Sequence, residues 1–193
     1  RRSVAVESVL LRDLLKDIQA ESGICIILDR CIDPATRMSI TTPLVRTDEL
    51  LGLLSDKVPN AGVSVGQDLI YFGPSKRSEM FRTLVELNRT DLRKLRRAYS
   101  REDYTALTVR SDLEWPDLAT PRNIMTKLAS DAGLGVANPE VIPHDLWRSG
   151  RLPRLSFVEA ATLLLIQFDL TVEIQPELNT CAIVHIPTDI AIE

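Results

Sequence analysis

The sequence contains few aromatic residues and no long apolar run. Phe, Trp and Tyr make up 5% of its 193 residues, so a hydrophobic core must be built from Leu, Ile and Val. It has no stretch of about 18 apolar residues, the length that a membrane-spanning helix needs. It also lacks the GxGxxG, P-loop, HExxH and nucleophile-elbow motifs. We therefore expect a globular chain that does not itself span a membrane, is not an enzyme and needs no cofactor.

Positive charge is in deficit, because 27 acidic residues outnumber 23 Lys and Arg and give a net charge of −4 at pH 7. Phosphate binding is dominated by cationic side chains, so this balance argues against nucleic acid as the main partner. The chain does not begin with Met, and no signal-peptide core follows its first residues. We expect a fragment of a longer protein, in which a missing signal says nothing about the compartment.

Cysteine is also scarce. Cys25, Cys31 and Cys181 show no CxxC spacing and no nearby His, so no zinc site is predicted. Cys25 and Cys181 lie in apolar, strand-like runs, where buried thiols are common. We expect three plain cysteines. The alternative is a disulfide between Cys25 and Cys31, which would require an oxidising compartment.

The most informative feature present is an internal repeat at a constant offset of 110 residues. Residues 10–23 align with residues 120–133, apolar on apolar, and Glu49 pairs with Glu159 at the same offset. A repeat of this length predicts two copies of a small domain rather than a solenoid. Two copies favour a binding module over a single active-site cleft.

Each copy is predicted to be a small α+β domain with the order β-α-β-β-α-β-β and a mixed sheet. In the first copy, residues 1–74, Gly23 ends one helix and Thr47 caps the next. The apolar run at 24–28 predicts a strand buried on both faces. A hairpin is expected across residues 66–68.

The second copy, residues 109–193, has clearer helix boundaries. Thr120 followed by Pro121 predicts a helix start, since proline is tolerated at the first helical position. Ser156 and Glu159 have capping-box spacing before another apolar helix. Two further strands are expected to close this copy as a hairpin.

Residues 75–108 belong to neither copy and predict a basic helical linker. Apolar residues recur there at helical spacing, which predicts either one helix or two helices with a break at 88–91. The segment holds nine Lys or Arg against five Asp or Glu. A candidate interaction patch on one helix face consists of Arg89, Arg93, Arg96 and Arg97. The patch is either a site for an acidic partner, anionic lipid or nucleic acid, or a solvated face paired with nearby acids.

His144 and Asp145 are the only His–acid neighbours in the chain. A catalytic or metal-binding role would need further carboxylates or a nucleophile nearby. We expect instead that residues 143–147 begin a short helix with Trp147 packing inward. The sequence therefore assigns no catalytic residue and no metal ligand.

Both copies resemble the STN domain, the short domain at the N-terminus of secretins and TonB-dependent receptors, which is called N0 in secretins. In the first copy the resemblance rests on spaced apolar residues followed by an acid and a glycine, namely Leu10, Leu14, Ile18, Glu21 and Gly23. In the second it rests on Ile124, Leu128, Gly133 and the residues from Ser156 to Thr171. STN domains usually occur once, and the helical linker is not part of their pattern.

The resemblance implies a bacterial envelope protein whose periplasmic face docks a protein partner, and the family has no catalytic residues to carry over. We therefore expect a non-enzymatic docking module that adds a partner strand at an open sheet edge. The alternative is a nucleic-acid- or anionic-lipid-binding module acting through residues 89–101. The sequence leaves open the identity of the partner, the oligomeric state and the mutual arrangement of the copies.

Overall fold

The computed structural model describes residues 2–66 and 69–188, and it is an α+β structure, as predicted. By its internal contacts the chain divides into two compact units, Arg1–Arg82 and Thr83–Glu193. The division falls inside one helix of the 75–108 segment, so residues 75–82 group with the first unit and residues 83–108 with the second.

The first unit contains two small sheets and two helices before a third helix begins. Its elements in chain order are β1 (Arg2–Leu10), α1 (Leu11–Ser22), β2 (Cys25–Leu28), β3 (Arg37–Val45), α2 (Thr47–Ser55), β4 (Ala61–Val65), β5 (Leu69–Pro74) and the start of α3 (Ser75–Lys94). Strands β1 and β3 pair antiparallel. In the other sheet β5 is central, parallel to β2 and antiparallel to β4.

The first helix follows its sequence signals closely. Leu11, Leu14, Leu15 and Ile18 form its buried stripe. Gly23 ends it in the left-handed region at φ +70°, and the Gly23 N–H donates to the Gln19 carbonyl at 2.9 Å. Both the stripe and the glycine cap were predicted, because each depends only on neighbouring residues.

Two expectations for the first unit are wrong in detail. Thr47 is the first residue of α2 rather than its cap, because the Glu49 carboxylate accepts the Arg46 N–H at 2.9 Å and the helix starts one residue earlier. Strand β2 is half-buried rather than buried on both faces, since it lies at the sheet edge and β5 takes the central place. Strands β4 and β5 pair as expected, although residues 67 and 68 of their turn lie outside the described residues.

The second unit contains the C-terminal half of α3 and eight further regular elements. These are α4 (Arg101–Thr108), β6 (Ser111–Trp115), α5 (Pro121–Asp131), β7 (Gly135–Val136), β8 (Gly150–Leu155), α6 (Phe157–Leu165), β9 (Leu170–Gln175) and β10 (Thr180–His185). Strands β6 and β8 pair antiparallel. In the three-stranded sheet β10 is central, parallel to β7 and antiparallel to β9. Element order and pairing from β6 to β10 match those from β1 to β5, while a common origin of the two segments stays a prediction.

Both predicted helix starts of the second unit are confirmed. The Thr120 hydroxyl accepts the Asn123 N–H at 3.2 Å, with Pro121 at the first helical position. At α6 the Ser156 N–H donates to the Glu159 carboxylate at 2.8 Å, and the Ser156 hydroxyl accepts the Glu159 N–H at 3.5 Å. This capping box opens a helix whose nine residues are all buried.

Of the one or two helices expected in residues 75–108, two form, but the chain does not break at residues 88–91. Helix α3 continues to Lys94, because the Asn88 and Arg89 side chains bond to distant side chains instead of competing for their own backbone. The chain bends later, through a 3₁₀ turn at Leu95–Arg97. Ser100 then caps α4, since its hydroxyl accepts the Asp103 N–H at 3.1 Å.

The short helix expected at residues 143–147 does not form. The Trp147 N–H donates to the Ala119 carbonyl at 2.9 Å in an isolated bridge, so it is not available to a helix. The Asp145 carboxylate accepts the Leu146 N–H and the Trp147 Nε1–H, which fixes an irregular local turn instead. In the part of the chain that the structure describes, no helix has both the length and the apolar character needed to cross a membrane.

Candidate functional site

Strand β9 presents an open edge in the second unit. The Ile186 N–H donates to the Asp169 carbonyl at 3.1 Å, which fixes the hydrogen-bonding register of the β9–β10 pair. In an antiparallel ladder the bonded pairs alternate, so the N–H and C=O groups of Val172 and Ile174 point away from β10. Since β9 is the last strand of its sheet among the described residues, no strand pairs with these groups.

A groove of about 250 Å³ separates this edge from the C-terminal half of α3. Its helix side includes Asn88, Leu92 and Leu95, and its strand side includes Val172 and Ile174. Polar residues on its rim are Asp91, Lys94 and Glu173. The groove therefore combines an apolar lining with a row of main-chain donors and acceptors, which is the environment that an extended peptide requires.

The side-chain amide of Asn88 links α3 directly to β9. Asn88 Nδ2 donates to Thr162 Oγ1 at 3.1 Å and to Thr171 Oγ1 at 3.2 Å, which links α3 to both α6 and β9. Both threonines are buried. This bridge therefore ties α3 to the strand that forms the other side of the groove.

Several other sheet edges are less accessible to an added strand. Proline lies in β3 at Pro43 and in β8 at Pro153, two positions separated by the repeat offset, and proline cannot donate to a new ladder. At β4, the Ala61 N–H donates to the Val58 carbonyl at 3.1 Å, and the Ala61 carbonyl accepts the Ser75 hydroxyl at 2.9 Å. Strand β9, in contrast, contains no proline and has outward main-chain groups at Val172 and Ile174.

The four arginines of the candidate patch have different environments. Arg89 is half-buried and pairs with Glu86 and with Glu159, at 2.7 Å to the latter. Arg93 is exposed and lies 3.6 Å from Glu86. The Arg96 guanidinium lies over the Tyr104 ring at 4.6 Å, and Arg97 is exposed in the 3₁₀ turn. They therefore do not form a single solvated helix face.

Glu159 is the centre of an ionic network on this side of α3. Its carboxylate accepts Arg89 Nη2 at 2.7 Å, Arg110 Nε at 3.2 Å and the Ser156 hydroxyl at 2.8 Å. Burial by itself would raise the pKa of Glu159, but the hydrogen bonds from Arg110 and Ser156 outweigh it and leave that pKa below its usual range. The ionised carboxylate of Glu159 is thus shared by two guanidinium groups, those of Arg89 and Arg110.

A cavity of about 240 Å³ opens beside this network. Arg89 and Arg93 reach it from α3, and Arg110 reaches it from the segment after α4. Its apolar wall includes Leu92, Leu107 and the ring of Tyr104. The cavity and the β9 groove both border the C-terminal half of α3 and share the Leu92 lining.

The first unit contains a buried polar cluster around Asp29, whose exposed fraction is 1%. Its carboxylate accepts the Tyr71 hydroxyl, the Cys31 N–H at 2.7 Å and Arg77 Nη1 at 3.3 Å. Burial, and then the neighbouring Asp29 charge, raise the pKa of Tyr71 far above its ordinary value, so this hydroxyl stays protonated. The cluster joins the end of β2 to β5 and α3, and its satisfied bonds give it a structural role.

The cysteines are free thiols, so the Cys25–Cys31 disulfide is not formed. Burial raises the pKa of Cys25 to about 11. Burial also raises the pKa of Cys181 to about 11, although a backbone hydrogen bond opposes it. A thiol with such a pKa is protonated at neutral pH and is a poor nucleophile.

His144 is exposed in an irregular loop. Its neighbour Asp145 accepts hydrogen bonds from the Leu146 N–H and the Trp147 Nε1–H of the local turn. Among residues 2–66 and 69–188, no group of three His, Cys, Asp or Glu side chains is placed to hold a metal ion.

The sequence pattern does not predict an aromatic cluster in the second unit. Trp115 and Trp147, the two tryptophans of the chain, lie 5.9 Å apart, and Trp147 stacks on Phe168 at 6.3 Å. Nearby in sequence, Leu118 and Leu146 are 68% and 55% exposed. The three rings are distant in sequence, so only the fold brings them together.

No protein-family model matches the chain, and no curated protein is significantly similar to it. The resemblance to STN domains therefore stays a prediction.

Proposed function

We propose that this chain is a non-enzymatic docking module that binds a protein partner by adding a strand to β9. The observation that carries the proposal is the outward direction of the Val172 and Ile174 main-chain groups beside the α3 groove. Unpaired strand edges are templates for pairing with another chain. Main-chain hydrogen bonds supply affinity in this mode, so no conspicuous polar side-chain site is required.

The proposed partner is an extended segment of a protein in a bacterial cell envelope, with the module on the periplasmic face. This part of the proposal rests on the resemblance of both copies to STN domains. The groove adds one requirement, that the segment present an apolar side chain toward Leu95 and Ile174, the half-buried apolar residues of its lining. Shape and apolar contact in such a groove select among strands that share the same backbone chemistry.

The alternative, nucleic-acid or anionic-lipid binding through residues 89–101, has weaker support. Arg89 is engaged by Glu86 and Glu159, and Lys94 pairs with Asp91 at 2.7 Å. Phosphate binding should weaken steeply as salt rises, whereas strand pairing should change little. Salt titration of any partner therefore separates the two modes.

The test selects short peptides from a random library on the folded chain and then maps their binding. We expect selected peptides to slow amide hydrogen exchange at Val172 and Ile174. Ile174→Pro removes a main-chain N–H that does not pair with β10, so the chain should fold and lose peptide binding. Peptides that protect other strands, or that bind the variant with unchanged affinity, would show that β9 is not the docking edge.

A matched control lies at the corresponding edge of the first unit. Val65 is in β4, and the Gly66 N–H to Leu69 carbonyl bond at 2.8 Å sets a register in which the Val65 N–H also points outward. Val65→Pro should retain full peptide binding, because it makes the same backbone change far from the β9 sequence. Heteronuclear NMR spectra of both variants confirm that each is folded.

A further inference from the structure

The cavity beside Glu159 contains more positive than negative charge. Three guanidinium groups line it, those of Arg89, Arg93 and Arg110, against the one carboxylate of Glu159. Glu86 pairs with Arg89 and Arg93 from outside the lining. In a chain of net charge −4 this is a local reversal of sign.

The charges in the cavity differ in how strongly they are already neutralised. Glu159 is 10% exposed and bonds to both Arg89 and Arg110. Arg93 is 64% exposed, and its ion pair with Glu86 is the long one at 3.6 Å. An exposed pair of this length contributes little, so an incoming anion can replace it at small cost. Arg93 is therefore the cation best placed to accept a new anionic partner.

The rest of the wall suits a ligand with an apolar part. Leu92 and Leu107 are buried, and the Tyr104 ring lies beside them in the lining. The hydroxyls of Thr108 and Ser156 are also in the lining. Guanidinium groups bind carboxylate and phosphate oxygens through paired hydrogen bonds. An apolar wall next to such cations selects a small organic anion over a bare inorganic ion.

We propose that this cavity binds a small organic anion, whose carboxylate or phosphate oxygens contact Arg93 and whose apolar group lies against the half-buried Tyr104, behind which Leu92 and Leu107 are buried. The site is distinct from the β9 edge, so it can exist whether or not that edge docks a strand. Both sites border the same half of α3, and ligand in the cavity would stabilise that helix where it also lines the docking groove.

The test is a chemical-shift titration of the whole chain with phenyl phosphate, benzoate and inorganic phosphate at constant ionic strength. We expect the two aromatic anions to shift the amides of Leu107, Thr108 and Val158, and to bind more tightly than inorganic phosphate. Inorganic phosphate binding equally well would show that charge alone acts and would overturn the apolar part of the site. Absence of these shifts at millimolar ligand would overturn the site itself.

Arg93→Ala and Arg97→Ala form a matched pair, because both remove an exposed arginine and only Arg93 lines the cavity. Arg93→Ala should weaken phenyl phosphate binding about tenfold, the effect of one lost charge-assisted contact, while Arg97→Ala should stay close to wild type. Equal losses in the two variants would show that anions, including nucleic acid or lipid phosphates, respond to overall charge rather than to this cavity.

Glu159→Gln is a second test, in which the affinity for phenyl phosphate is expected to rise rather than fall. Glutamine can keep the capping box with Ser156, so α6 should form, while the resident negative charge is removed. We expect phenyl phosphate to bind more tightly to this variant, because the negative charge that repels an anion in the cavity is gone. Weaker or unchanged binding in the folded variant would contradict an anion site beside Glu159.

Discussion

The side chain of Asn88 joins α3 to the edge strand β9, since its Nδ2 donates to Thr171 Oγ1 at 3.2 Å. The same nitrogen donates to Thr162 Oγ1 in α6 at 3.1 Å. Asn88 thus bonds directly across the docking groove, from the helix on one side to the strand on the other. Its removal should affect both stability and the groove.

Asn88→Ala should lower the free energy of unfolding by about 1–2 kcal/mol, because the buried Thr171 hydroxyl loses its bond to Asn88. Urea denaturation followed by circular dichroism measures this change. Thr90→Ala is the control, because Thr90 is exposed on the same helix. If both variants had wild-type stability, the Asn88 bridge would not contribute as the geometry indicates.

Asn88 also illustrates which parts of the fold the sequence could predict. Helix starts at Thr120 and Ser156 and the end at Gly23 depend on partners within four residues, so the local pattern was sufficient. The partners of Asn88 lie 74 and 83 residues away. An Asn read locally indicates a helix break, whereas its tertiary bonds keep α3 intact.

The candidate site shows the same limit. The composition indicates the basic segment. It does not indicate that Arg89 bonds to the carboxylate of Glu159, which lies 70 residues later in the chain. The open edge of β9 follows from sheet order, which a single sequence does not fix. One feature of the sequence does bear on the edges. Proline recurs at the repeat offset, at Pro43 and Pro153, and a strand that contains proline is a poor docking edge.

The network around Glu159 predicts a specific pH dependence. Because the pKa of Glu159 is lowered in the folded chain, its carboxylate stabilises the fold fully above the ordinary glutamate pKa of about 4.3. That contribution is lost as the pH falls through the lower, folded-state pKa. The stability difference between wild type and Glu159→Gln should therefore be largest at neutral pH and shrink in acid.

Unfolding free energies of both proteins, measured by urea titration between about pH 7 and about pH 3, give this difference directly. Other carboxylates titrate in both proteins and cancel in the comparison. A difference that stays constant over this range would mean that the ionised carboxylate of Glu159 does not stabilise the fold.

Tyr71→Phe tests the buried cluster of the first unit. The change removes one donor to the Asp29 carboxylate, which is buried, so we expect a loss of about 1.5–3 kcal/mol in unfolding free energy. Tyr104→Phe is the control for removing a phenol hydroxyl, because Tyr104 is partly exposed. Its stability should stay within about 0.5 kcal/mol of wild type. Equal stabilities for the two variants would show that the Tyr71–Asp29 bond adds nothing.

Gly150→Ala tests the aromatic cluster of the second unit. Gly150 pairs with Trp115 in the β6–β8 ladder, and a Cβ there would lie 2.7 Å from Trp115 Cε2. The indole must move, which would strain its Nε1–H bond to the Arg148 carbonyl at 2.8 Å and its contact with Trp147. We expect a loss of about 1–3 kcal/mol in unfolding free energy, the usual range for overpacking.

Both tryptophans of the chain are in this cluster, so tryptophan fluorescence reports on it alone. Gly52→Ala is the matched control, since Gly52 lies in α2 and a methyl group added to it would meet no atom within 4 Å. That variant should gain about 0.5–1 kcal/mol, because alanine is the better helix former, and leave the tryptophan signals unchanged. Unaltered tryptophan spectra in Gly150→Ala would mean that the indole of Trp115 does not pack against Gly150.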